Sequence, residues 1–499
     1  MSMPFVNQQF TFTQPDGSRI QVRGTGNQHH ATFQSLDGFP VVKDPTSGFF
    51  HYASVGPDGA SLSPIGVRVG AVNPALLGLR ANARPNGTVV RESIFTTGLK
   101  QSPSRWEVRR AQKRHTKLAA MGIGLAPPER PTVGIFVGLC LLVQFPDEPG
   151  TITQDEVTKF CNQQGYNGFG NNGSVRDYFF DVSDGKLTYT NVVAPYYTAK
   201  HPKGYYTDPN IQQPRRAQEL ILEAIAWHQT NGFDFSALTV DDRNCVYATN
   251  VFYAGPVENN WAEGLWPHSY HLESETPLMA GKLAMDYQIT DMGVELSLGT
   301  FCHENGHLIC DFPDLYDYQG DSFGVGAYCL MCFGGNVSPK DPMQIGAYLK
   351  HSAGWTSKLV TTTPGSVVTL NAGRNEFALH KKDNEEYFIL ENRRKSGRDA
   401  ALPDAGLAVW HVDERGSNSD QQMTAAQHYE CALVQADGQN DLEQKVNPGD
   451  ASDLFRKGQN TSLNGASHPN SNWWDGSGSG LKISGIGPAG AAMSFKVDP

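Results

Sequence analysis

Residues 300–317 read TFCHENGHLICDFPDLYD. His303 and His307 stand four apart with Glu304 beside the first. On a helix that spacing turns both imidazoles to one face, able to bind one zinc ion, with Glu304 next to a metal-bound water. Just upstream, residues 294–301 are apolar at helical spacing and are expected to anchor this helix against the core. Zinc needs a third protein ligand and an open fourth position. The candidates downstream are Asp311, Asp314 and Asp317, and a helix ending soon after His307 must turn sharply to return any of them to the metal.

The chain around this motif is long enough to bury a large core without staples, its 499 residues amounting to about three typical domains. Eight cysteines are too few for a disulfide scaffold. Cys329 and Cys332 have the spacing of a redox pair or half a zinc site, but no second such pair occurs, and buried thiols or a disulfide are expected. The formal charge of −11 argues against nucleic acid as a partner, because phosphate binding needs clustered Lys and Arg. That charge is unevenly spread: residues 80–130 hold 11 basic and 3 acidic residues, a local +8 that leaves −19 elsewhere, which hints at two parts that attract each other. The longest apolar stretch, 132–145, has 14 residues and includes Gly134 and Gly138, too short to cross a bilayer. No continuous hydrophobic segment occurs in the first 30 residues, so no secretory signal peptide is expected.

Residues 1–75 alternate polar and apolar groups between turn signals at Pro15-Asp16-Gly17, Asp37-Gly38 and Pro57-Asp58-Gly59, the pattern of short antiparallel hairpins. Residues 104–120 predict a helix with a dense basic face, either solvated or laid as an arm on an acidic surface, and 122–131 predict a linker. After it, 133–145 suit a central strand, 214–231 an amphipathic helix and 245–254 another strand. Beyond Trp355, strand-like runs at 387–390, 407–412, 481–486 and 492–497 alternate with Gly-rich loops, the pattern of a β-sandwich. The fold class is therefore α+β, divided at 1–128, 129–358 and 359–499.

At the motif itself the sequence resembles the immune inhibitor A family of zinc metalloproteases, whose metzincin-like signature runs H-E-x-x-H-x-x-G-x-P-D-x-Y-D. Pro313, Asp314, Tyr316 and Asp317 match its tail, so the resemblance assigns Asp314 as third zinc ligand. Cys310 stands where the family has glycine and one extra residue precedes Pro313, leaving Asp311 able to take the left-handed turn that glycine normally supplies. Similar segments are SVRDYF at 174–179, VSDGKL at 182–187, WPH at 266–268, YFILENR at 387–393 and GLAVWHVDE at 406–414. GAYCLMCFGG at 326–335 is similar to the family's Met-turn and so places Met331 beneath the zinc. The likeness covers most of the chain, the first 120 residues more weakly, and implies a metzincin-like catalytic domain, a prodomain and an extracellular location.

The expected function is a zinc-dependent endopeptidase acting on protein or peptide substrates. Zinc polarises the scissile carbonyl and activates a water, and Glu304 acts as general base. The competing class is a catalytically silent binding or adhesion module on the same fold. Residues 1–128 are expected to form a β-rich pro-segment that keeps the enzyme latent. No cysteine precedes Cys140, so the block must be a carboxylate, a histidine such as His29 or His30, or occlusion. The acidic loops 437–443 and 447–453 offer oxygen ligands for calcium as a candidate second ion, with solvated turns the alternative. His411 and Asp413 are expected to pack or pair at a strand end, and Trp473-Trp474 to make an interdomain contact rather than stack on a sugar.

Overall fold

A computed structural model describes residues 3–27, 30–56, 62–81, 83, 95–96, 105–120, 132–257, 260–261, 263–318, 320–419 and 421–499. The turn expected at 57–59 and the linker expected at 122–131 lie outside the described residues.

The N-terminal hairpins form one antiparallel sheet in which β1 (Phe5–Thr13), β2 (Arg19–Gly26), β3 (His30–Ser35), β4 (Pro40–Lys43), β5 (Phe50–Val55) and β6 (Leu62–Arg68) pair in sequence order. A short β7 (Phe95–Thr96) joins β3. Gly17 (φ 82°) and Gly38 (φ 86°) close the first and second of the predicted turns in the left-handed conformation that favours glycine. The sheet's apolar face, including Phe12, Phe33 and Phe50, packs on Trp261 and Trp266, so this unit is docked on the middle of the chain. Next comes α1 (Arg105–Ala120), as the sequence predicts.

The middle of the chain runs β8 (Gly134–Gln144), α2 (Gln154–Asn162), α3 (Val175–Val182), β9 (Leu187–Thr198), α4 (Lys203–Tyr206), α5 (Arg215–Thr230), β10 (Thr249–Tyr253), β11 (His268–Pro277), β12 (Leu283–Asp291) and α6 (Leu298–Cys310). Its sheet has the order β11-β12-β10-β8-β9, parallel throughout except for the antiparallel edge strand β11. The hydrophobic run of β8 is continuous because both faces are covered. Cys140 and Leu142 point to the layer of α2, α3 and α6, whereas Leu139, Leu141 and Val143 point to α5. The strand expected over 245–254 is confined to β10.

The C-terminal part is two facing sheets. One has β13 (Lys358–Thr361), β15 (Glu376–Lys381), β16 (Glu386–Arg393), β17 (Gly406–Asp413) and β18 (Cys431–Leu433); the other has β14 (Val367–Asn371), β20 (Ala492–Val497) and β19 (Ile483–Ser484), shorter than the run expected at 481–486. Every residue of β16 and β17 is buried, which requires a cover on each face. Phe388, Leu390, Leu407 and Val409 face the smaller sheet, while Tyr387, Ile389, Ala408 and Trp410 join the core around α6. One core thus runs through residue 358, the boundary between the second and third sequence divisions. The whole is an α+β chain with several sheets.

Close backbone approach positions α6. The Gly299 N–H donates to Pro339 O at 2.7 Å, and a Cβ on Gly299 would lie 2.3 Å from Gly335 O. Gly204, in α4, has open space around its would-be Cβ. We expect Gly299→Ala to displace α6 and to destabilise the chain by about 1–3 kcal/mol. Gly204→Ala is neutral or stabilising by up to about 1 kcal/mol. Calorimetric melting of the two variants side by side checks the ranking.

Candidate metal centre

Asp311 ends α6 in the left-handed region (φ 53°, ψ 31°), the role the sequence allowed for it. Its N–H donates to His307 O at 3.1 Å and the Phe312 N–H to Gly306 O at 3.2 Å, so two carbonyls of the last helical turns are satisfied while the chain reverses. The reversal also orients a ligand: His307 Nδ1 lies 2.6 Å from the Phe312 carbonyl, and His303 Nδ1 lies 3.0 Å from the Leu330 carbonyl. With both Nδ1 atoms donating, both Nε2 atoms present lone pairs. They face each other at 3.2 Å, and Asp314 Oδ1, returned by the turn, lies 3.2 Å from each.

All three side chains are buried. This triangle fits a divalent metal, since a tetrahedral zinc with bonds of about 2.0–2.1 Å spaces its ligands roughly 3.3–3.4 Å apart. Without a cation the acceptors repel, and protonation relieves them. Burial alone would depress His307, but the Asp314 carboxylate overrides it and holds the imidazole up, at about 9. Burial likewise works against the ionised form of Asp314, yet the neighbouring His307 keeps it well below the usual carboxylate range. Asp314 Oδ2 accepts from Tyr318 Oη at 2.9 Å. Burial, then the Asp314 charge, pushes the phenols of Tyr316 and Tyr318 well above their ordinary values.

Glu304 is 1 % exposed, and among the described residues neither of its carboxylate oxygens has a hydrogen-bond partner. Met331 packs on α6 at Gly306, its Sδ only 2.7 Å from where a Cβ on Gly306 would be. His303, His307, Asp314, Glu304 and Met331 are therefore brought together, whereas the other two aspartates do different work. Asp311 turns its carboxylate to Arg109, and Asp317 accepts from the N–H groups of Gly320, Asp321 and Ser322.

Three features escape the sequence reading. Trp106 of α1 stacks on His307, ring centroids 4.5 Å apart at 12°. Tyr318 supports Asp314. A buried amide network ties α6 to the sheet: the Asn305 amide donates to Asn250 Oδ1 at 2.8 Å, Tyr189 Oη donates to Asn305 Oδ1 at 2.6 Å, and Gln288 donates to Asn250 Oδ1 at 2.7 Å. The lone tryptophan in a basic helix was the one available signal. That helix is the arm on an acidic surface: Arg109 bridges Asp286 and Asp311, and Arg110 pairs with Glu430. Against the cost of burial, these carboxylates hold both guanidinium groups above their usual range.

Elsewhere, Val294 is 85 % exposed and precedes α6, so the anchoring run begins only at Leu296 and Leu298. Cys329, Cys332 and the other six cysteines are buried thiols. His411 pairs with Glu386 and Asp413 with Arg415 and His428, at a strand end as expected. Trp473 and Trp474 stack on His380, Phe388, His411 and His428, all within the C-terminal part, which corrects the interdomain contact. Carboxylate oxygens of Asp437, Asp450 and Asp453 come within 4.8 Å of one another, and burial pushes Asp453 up to about 6. No helix among the described residues is long and apolar enough to cross a membrane.

No family model matches the chain, and no curated protein matches it.

Removing Asp314 takes away a charged ligand, while Asp311→Asn keeps a residue tolerant of the left-handed turn. If the triangle holds zinc, Asp314→Ala retains less than about a tenth of the metal kept by the unaltered chain after dialysis, on the scale of lost metal-site partners. Asp311→Asn keeps a full equivalent. Metal analysis of the two proteins decides between the carboxylates.

Proposed function

We propose that this chain is a zinc-dependent endopeptidase of the immune inhibitor A kind, exported and held latent by its N-terminal segment. The observation that carries this reading is the triangle of His303 Nε2, His307 Nε2 and Asp314 Oδ1 at 3.2 Å beside a buried Glu304 carboxylate that has no hydrogen-bond partner among the described residues. Zinc bound there would supply Lewis-acid polarisation of a peptide carbonyl and of water.

The protein's own groups do the rest. Glu304, unengaged and out of bulk solvent, accepts a proton from the attacking water and returns it to the departing amine. Phe312 O and Leu330 O keep the imidazoles in one tautomer, and Tyr318 keeps Asp314 from rotating away. A silent binding module has no use for an unpaired buried carboxylate, which is costly to leave unsatisfied. This favours the enzyme over that alternative. Calcium at Asp437, Asp450 and Asp453 is a structural role we assign by the same reading.

Latency is supported by α1. Trp106 is buried and stacked on His307, and it lines a cavity of about 430 Å³ together with Arg110, Pro313, Asp314, Tyr318 and Glu430. Of the blocks considered above, occlusion by this ring is the one we favour; Glu107 of α1 also lines the cavity, and His29 and the side chain of His30 lie outside the described residues.

Two outcomes follow. Glu304→Ala binds zinc and keeps the fold but loses about 10² to 10⁴ of casein hydrolysis; wild-type turnover in this variant, or chelator-insensitive turnover in the parent, removes the reading. Cleavage in 122–131 raises activity, and Trp106→Ala raises that of the uncut chain. Equal rates before and after cleavage leave the N-terminal segment as a permanent domain.

A further inference from the structure

The blocking helix carries a second message in its charges. At about 100° per residue, Arg105 and Arg109 line one flank of Trp106 and Arg110 the other. Arg109 donates from Nε to Asp311 at 2.7 Å and from a terminal nitrogen to Asp286 at 3.1 Å, and Arg105 lies 3.7 Å from the same Asp286. Arg110 pairs with Glu430, which also accepts from Tyr348 Oη at 2.5 Å. Asp286 belongs to β12, Asp311 caps the end of α6 and Glu430 directly precedes β18, so three separate parts of the chain turn a carboxylate to this one helix face.

Each carboxylate is almost fully buried beneath an arginine. Departure of α1 takes the guanidinium groups away from three carboxylates and leaves their negative charge along the opened cleft, where it attracts cationic side chains. Arg109 and Arg110 stand about 4.5–6 Å along the helix from Trp106, the length of roughly two extended residues.

We infer that the opened cleft selects cationic peptides, with Lys or Arg within two residues of the scissile bond, and that Asp286, Asp311 and Glu430 are its specificity residues. The pro-segment arginines occupy the positions that substrate side chains take. This inference rests on the endopeptidase reading.

The test uses the full-length chain, cut within 122–131 and loaded with zinc, on peptides from a protein extract digested by a Glu-specific protease, which leaves Lys and Arg internal. Mass spectrometry of the products should show Lys and Arg enriched about threefold or more within two residues of the cuts, on the scale of a partly buried charge pair. Asp286→Asn and Glu430→Gln should each reduce the enrichment. A measurement that needs no protein variant is inhibition of the cut enzyme by a synthetic peptide of residues 105–120. Changing its Arg109 and Arg110 to Gln should weaken inhibition about tenfold. Cuts without enrichment in the wild type, or equal inhibition by both peptides, overturn the specificity while leaving the protease standing. No cut in any peptide overturns both.

Discussion

Two imidazole nitrogens and one carboxylate oxygen meet 3.2 Å apart inside this chain, and everything near them serves to hold that unfavourable arrangement. Each ligand is fixed by a different element. The backbone turn after α6 holds His307, the loop at Leu330 holds His303, and Tyr318 holds Asp314. The helix beneath them is fixed in turn by Gly299 against Gly335 and by Asn305 in an amide network spanning β9, β10 and β12. A charged cluster of this kind persists only where its supports over-determine it.

The parts legible beforehand were those governed by local spacing. Residues four apart share a helix face whatever the tertiary context, so His303, Glu304 and His307 needed no knowledge of the fold. The run at 134–144 was legible for a similar reason, since a strand covered on both faces has no polar alternation to hide it. Val294 misled because apolar spacing does not show where a helix begins. The Asn305–Asn250 network was invisible because each amide is ordinary alone and acquires meaning only when distant strands meet. The same holds for Tyr318 and for Trp106, whose partners lie 4 and 201 positions away in the chain.

Charge asymmetry was legible as a quantity and not as a geometry. A local excess of basic residues implied attraction to an acidic remainder, but screening makes attraction between solvated surfaces weak. What makes α1 specific is burial: Arg109 and Arg110 keep less than a fifth of their side-chain surface, and Asp286, Asp311 and Glu430 still less. In that setting a wrong partner leaves a buried charge uncompensated, so the helix has one register on the cleft.

The same logic makes the C-terminal sheets part of the site. Glu430, directly before β18, lines the cleft; Asn418 donates to Leu315 O at 3.3 Å, and the Tyr318 N–H donates to Ser419 O at 3.1 Å. These contacts fasten the segment that carries Asp314, while Trp410 and Ile389 fill the core beneath it. A strand pair buried on both faces cannot be lifted from one cover without exposing a full apolar face to water. Movement of the C-terminal sheets relative to α6 is thereby opposed by this shared apolar core, which holds the wall of the cleft that bears Glu430 against the segment carrying His303 and His307.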